Sequence, residues 1–74
     1  MIPKALAEGL ELVEVDASVA DDAILELTSL QVVMLVEHLE SELQILFDGN
    51  DVTRENFSTK KALVALLAKK GITS

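Results

Sequence analysis

A hydroxyl that opens a helix is the one group in this sequence placed for covalent chemistry. In the run Leu27-Thr28-Ser29-Leu30-Gln31-Val32-Val33, a loop stops and the strongest helical pattern of the chain begins. Thr28 or Ser29 can cap that helix, because a hydroxyl oxygen accepts from a first-turn backbone N–H that has no partner within the helix. A phosphate ester on Ser29 would lie against such N–H groups and the positive end of the helix dipole. Catalysis is harder to assemble. His38 is the only histidine. A general base needs a nucleophile within reach, and the spacing places none beside it, so His38 reads as a solvated surface residue. Glu37, Glu40 and Glu42 read as a solvated acidic face. Asp48, Asn50 and Asp51 share part of a calcium-loop pattern but lack its terminal bidentate glutamate. The chain has no cysteine, hence no thiolate metal site and no disulfide. It also lacks a glycine-rich phosphate loop. These residues point to no metal site and not to an enzyme.

The elements that must position Ser29 can be read from periodicity and capping. Val32, Leu35, Val36, Leu39 and Leu43 form one stripe of a helix expected over residues 29–46, best defined up to Leu43. Leu30 and Met34 point away from that stripe at ~100° per residue and, with Glu37 and Ser41, read as a docking surface beside the hydroxyl. Upstream, residues 1–9 read as a short helix with Pro3 at its first position, Leu6 as its main apolar contact and Gly9 as its stop. Residues 10–15 fit neither period cleanly. Residues 16–28 form a long connection that Val19, Ile24, Leu25 and Leu27 should tack onto the core. Downstream, residues 48–51 carry the clearest turn signal. Residues 53–57 can make one helical turn capped by Thr53 with Phe57 inward. Ser58 or Thr59 then caps a last helix over residues 60–70, with Leu63, Leu66 and Leu67 buried and Lys69, Lys70 and Gly71 ending it.

The totals agree with a single small all-α domain over residues 1–74. Half of the 74 residues are hydrophobic, and Phe47 and Phe57 are the only aromatics, so leucine, valine, isoleucine and alanine must build the core. No run of ~18 uninterrupted apolar residues suggests a membrane span, and no cationic-then-apolar start suggests a secretory signal, which leads to the expectation of a cytoplasmic protein. The net charge is -7. Residues 1–51 hold 12 of the 13 acids and one of the six bases, giving -11, and residues 52–74 contribute +4. Such an acidic body repels nucleic acid and anionic lipid and favours basic patches on other proteins, although acids also simply keep a small protein soluble.

The segment from Thr28 to Leu43 resembles the central segment of acyl carrier proteins. In that family an Asp-Ser-Leu sequence opens the second helix, and an apolar stripe runs on to an acidic end reading Leu-Glu-x-Glu-Phe. Ser29-Leu30 match the Ser-Leu pair, and Leu39-Glu40-Ser41-Glu42-Leu43 match the acidic end, while Thr28 stands where the family has Asp. Residues 52–59 look like the family's short third helix and the cap of its fourth, and residues 16–22 look like its long first loop, with two extra residues around 23–26. The resemblance covers about residues 10–70.

The resemblance implies a small acyl-carrier-like bundle of up to four helices, the first short and the third a single turn. It implies that Ser29 carries 4′-phosphopantetheine, donated from coenzyme A by a phosphopantetheinyl transferase, and that the arm holds an acyl or aminoacyl group as a thioester. The carrier would then deliver its cargo to loading and transferring enzymes with basic docking patches, in lipid, polyketide or aminoacyl metabolism. Thr28, Leu30, Met34, Glu37 and Arg54 would be the partner-binding residues. With its first helix short, such a bundle would be a monomer or a homodimer formed over that helix. The main rival is an unmodified carrier-like module that docks partners through Leu30, Met34 and the acids. An enzyme using Ser29 as nucleophile is the weaker rival, since no base or oxyanion partner is evident.

Overall fold

The first element starts where proline dictates. A computed structural model describes residues 3–72, so the first two residues of the expected first helix lie outside the described residues. Pro3 precedes helix α1, Lys4–Leu12, with φ -58° and ψ 143°. Its carbonyl accepts from the Leu6 and Ala7 N–H groups, so it stands one position earlier than expected. α1 does not stop at Gly9. Ala5, Leu6, Gly9 and Leu10 line up as its buried stripe, and the chain leaves the helix only at Val13. Helix α2, Ser29–Leu43, follows the long loop and ends at Gln44 in the left-handed conformation, φ 53°. Helix α3, Lys60–Lys69, is capped by the Thr59 hydroxyl, which accepts from Ala62 N–H at 3.0 Å. Past its end Gly71 takes φ 86°, a region that an L side chain rarely adopts.

Among the described residues the protein is all-helical, with three helices and no strand. Residues 53–57 make the expected single turn: Thr53 Oγ1 accepts from Asn56 N–H at 3.1 Å, the Phe57 N–H reaches the Thr53 carbonyl, and Phe57 is buried. All three helices feed one core. Leu6 and Leu10 from α1, Leu35 and Leu39 from α2, and Leu63 and Leu67 from α3 are fully buried, and each contributes about 1.5–3 kcal/mol through burial. The Cα radius of gyration is 10.7 Å, close to the ~11 Å of a folded chain of this length.

The long loop, residues 13–28, is fastened along its length, in part by the Lys61 N–H, which donates to the Asp21 carbonyl at 3.0 Å. Gln31 Nε2 donates to the Val13 carbonyl at 2.8 Å. Leu25 N–H donates to the Ser58 carbonyl at 2.8 Å. The Lys60 side chain, 7% exposed, runs inward and donates to the Ala17 carbonyl at 2.7 Å, with Asp21 Oδ1 at 3.6 Å. Leu25 and Leu27 pack against the core as expected. Ile24 does not: it is 68% exposed, because Leu25 on the opposite side of this extended stretch takes the inward place.

No helix among the described residues is long and apolar enough to cross a membrane.

Candidate functional site

The start of α2 is built by a reciprocal cap. Thr28 Oγ1 accepts from Gln31 N–H at 3.2 Å, and Gln31 Oε1 accepts from Thr28 N–H at 2.8 Å. This capping box satisfies two otherwise unpaired donors. It decides which hydroxyl caps the helix: Thr28 does, and Ser29 becomes the first helical residue, exposed to solvent. The Ser29 hydroxyl is therefore not consumed in holding the helix. Its position exposes it to the positive end of the α2 dipole.

Ser29 also lies on the wall of an open groove of about 630 Å³. One side is the loop segment with Ile24, Glu26 and Leu27, the floor is Val32 and Val33 of α2, and the far side is the turn region from Val52 to Ser58. The Leu25–Ser58 backbone hydrogen bond ties the two sides together. Most of the lining is apolar, Phe57 included, and Arg54 and Glu26 supply opposite charges to it. Glu26 holds φ 53°, an uncommon backbone conformation for a residue with a side chain, beside this groove.

The turn that carries Val52 and Arg54 is locked from below. Asp48 Oδ1 accepts from Asn50 and Asp51 N–H, and Asp51 Oδ2 accepts from Asp48 N–H at 3.0 Å. Asp51 Oδ2 also meets Lys70 Nζ at 2.7 Å, and that ammonium sits 5.3 Å from the centre of the Phe47 ring. The Lys70 contact holds the Asp51 carboxyl below its ordinary range, with the Asp48 backbone hydrogen bond adding to it. Asp48 and Asp51 thus hold the turn that the 48–51 signal predicts.

Comparisons with protein families, with curated proteins and with solved structures give no match. The site therefore rests on its own geometry.

Thr28 and Leu30 are exposed at the start of α2, and Glu37 is exposed two turns further along the helix. Leu30 is 68% exposed and Met34 36%, so both point outward as their angle from the apolar stripe requires. Val33, also exposed, joins them and was not singled out by the pattern. Arg54 is exposed and shares the groove with Ser29. The structure thus brings Ser29 and Arg54 to one groove and sets Leu30 and Met34 beside it.

Two expectations at the other end of α2 are overturned. His38 is not a solvated surface residue. It is half-buried, and its Nε2 is enclosed without a hydrogen-bond partner among the described residues, an arrangement that costs about 1–3 kcal/mol when nothing compensates it. The cause is Gly9. A Cβ at that position would lie 2.6 Å from Leu35 Cδ1 and 3.0 Å from His38 Cδ2, so the bare glycine lets α1 close over α2 and cover the ring. Gly9 is a close-approach residue, not a helix stop. The acidic face also divides. Glu37 remains in solvent, but Glu40 Oε2 accepts from Phe47 N–H at 2.8 Å and turns the chain after α2. Of the two hydroxyls the sequence offered as the cap, a signal favoured Thr28, since Thr28-Ser29-Leu30-Gln31 has the Thr-x-x-Gln capping-box spacing.

Proposed function

We propose that this chain is a carrier protein of the acyl carrier type, with 4′-phosphopantetheine attached through a phosphodiester to Ser29. The observation that carries the reading is the free, exposed Ser29 hydroxyl at the first turn of α2, beside an apolar groove of about 630 Å³. A phosphate there meets the helix N-terminus and shares its groove with the Arg54 guanidinium. The volume lies in the ~300–1,000 Å³ range of small-molecule sites. It suits an acyl chain or aminoacyl side chain folded back along Ile24, Val33, Val52 and Phe57.

The arm's thiol holds the cargo as a thioester; the protein's own task is to present and shield it, not to catalyse. Leu30 and Met34 then form the apolar centre of the partner-facing surface, with Thr28, Glu37 and Arg54 around it. The negative charge of the body steers it toward basic patches on a phosphopantetheinyl transferase and on loading and transferring enzymes. The same exposed Leu30, Val33 and Met34 also support a second reading, an unmodified docking module. Intact mass after incubation with coenzyme A and a broad-specificity phosphopantetheinyl transferase separates the two. The wild type should gain one phosphopantetheine and Ser29→Ala none. A folded wild type that gains nothing leaves the docking module.

A further inference from the structure

The closed end of α2 gathers three groups that share no hydrogen bond. Glu8 reaches in from α1, and His38 and Glu42 stand four residues apart on one face of α2. One imidazole nitrogen and one oxygen from each carboxylate all lie within 4.8 Å of one another. The His38 Nε2 is enclosed and without a partner. A second, smaller cleft of about 360 Å³ is lined by the two glutamates of the cluster, Glu8 and Glu42, together with Lys4, Ala5 and Leu43. Ser29 is nine residues from His38, ~14 Å along the helix axis, so this cluster is separate from the groove at the other end.

We propose that Glu8, His38 and Glu42 form a binding site for a borderline divalent cation of the zinc type. Imidazole favours Zn²⁺ over the hard cations Mg²⁺ and Ca²⁺, and two carboxylates neutralise its charge. Zinc takes such N and O donors at ~2.0–2.2 Å, which sets tetrahedral ligands roughly 3.3 Å apart, with water completing the shell. Glu8 and Glu42 are both exposed, so their side chains close the remaining gap by rotation, while the half-buried His38 ring provides the fixed ligand. Because the donors come from two helices, the ion clamps α1 onto α2 and stabilises the fold that holds it.

The test is calorimetric titration of the whole chain with Zn²⁺ in excess Mg²⁺, together with the ring ¹⁵N signals of His38, which are unambiguous because the sequence has one histidine. One equivalent should bind, shift the His38 ring nitrogens and raise Tm. His38→Gln and Glu42→Gln should each weaken binding by about 100-fold, since even groups that only orient a metal ligand are worth ~10–100-fold. Glu55→Gln, away from the cluster, should bind as the wild type does. Should His38→Gln lose its fold, Glu8→Gln and Glu42→Gln decide the matter, because both alter exposed side chains. Unsaturable binding with the His38 signals unmoved, or full affinity in either glutamate variant, overturns the site.

Discussion

The two halves of α2 solve opposite problems with the same helix. In the half around Leu35, His38 and Leu39, α1 approaches through the bare backbone of Gly9 until side chains leave no room for a methyl group. In the half around Ser29, Leu30 and Val33, no helix among the described residues covers these exposed side chains. A loop and a single turn stand off from it across an open groove, held by a few hydrogen bonds. Close packing gives the fold its cooperativity; the loosely bridged half leaves a hydroxyl and an apolar groove available. A small domain can keep a solvent-exposed site at one end of a helix when its other end carries the packing.

The largest break in this comparison should come from Gly9→Val. Overpacking against Leu35 and His38 should cost about 3 kcal/mol, whereas Leu30→Ala in the open half should stay within about 0.5 kcal/mol. Urea unfolding midpoints measure both, and similar losses would mean that α1 is no tighter a partner than the groove.

A smaller effect separates the two hydroxyls at the start of α2. Thr28→Ala should cost about 1 kcal/mol by removing the acceptor for Gln31 N–H. Ser29→Ala should change stability by less than about 0.5 kcal/mol, since the cap remains. Thermal melts of the pair check this. The reverse order would return Ser29 to a merely structural role.

The smallest effect concerns the turn that closes the groove. Asp51 is held below its ordinary pKa chiefly by the Lys70 ammonium. A carboxyl lowered on folding adds stability above its unfolded value of about 3.9, and that stability is lost as pH falls through the lowered folded value. Asp51→Asn should therefore lower Tm slightly in the neutral region, where the contribution is present, and converge with the wild type in acid, so that its Tm falls less steeply below about pH 4. An unaltered acid limb would show that the turn does not depend on this pair.

Much of the architecture was legible because capping and periodicity are local. Thr59, Lys70 and Gly71 mark the ends of α3, the 48–51 turn carries its own side-chain hydrogen bonds, and the angle between Leu30 and Val36 on a helix suffices to put Leu30 outside. Gly9 was misread because glycine after six helical residues looks the same whether it ends a helix or admits a neighbour. His38 was misread for the same reason, as the helix that covers it lies about thirty residues away in sequence. Ile24 failed because alternation in a short extended stretch does not say which parity faces inward.

The amino-acid order by itself determined three helical stripes, the hydroxyls able to cap α2 and α3, the acidic surface and a serine at the start of the central helix, because each depends on groups within about four residues of one another. Tertiary structure decided that Thr28 alone bears the cap through Gln31 and Val13, that loop and turn enclose a groove beside Ser29, and that Glu8, His38 and Glu42 converge. Those outcomes depend on how closely distant backbones approach, and that distance is set by the side chains, or the absence of one at Gly9, between them.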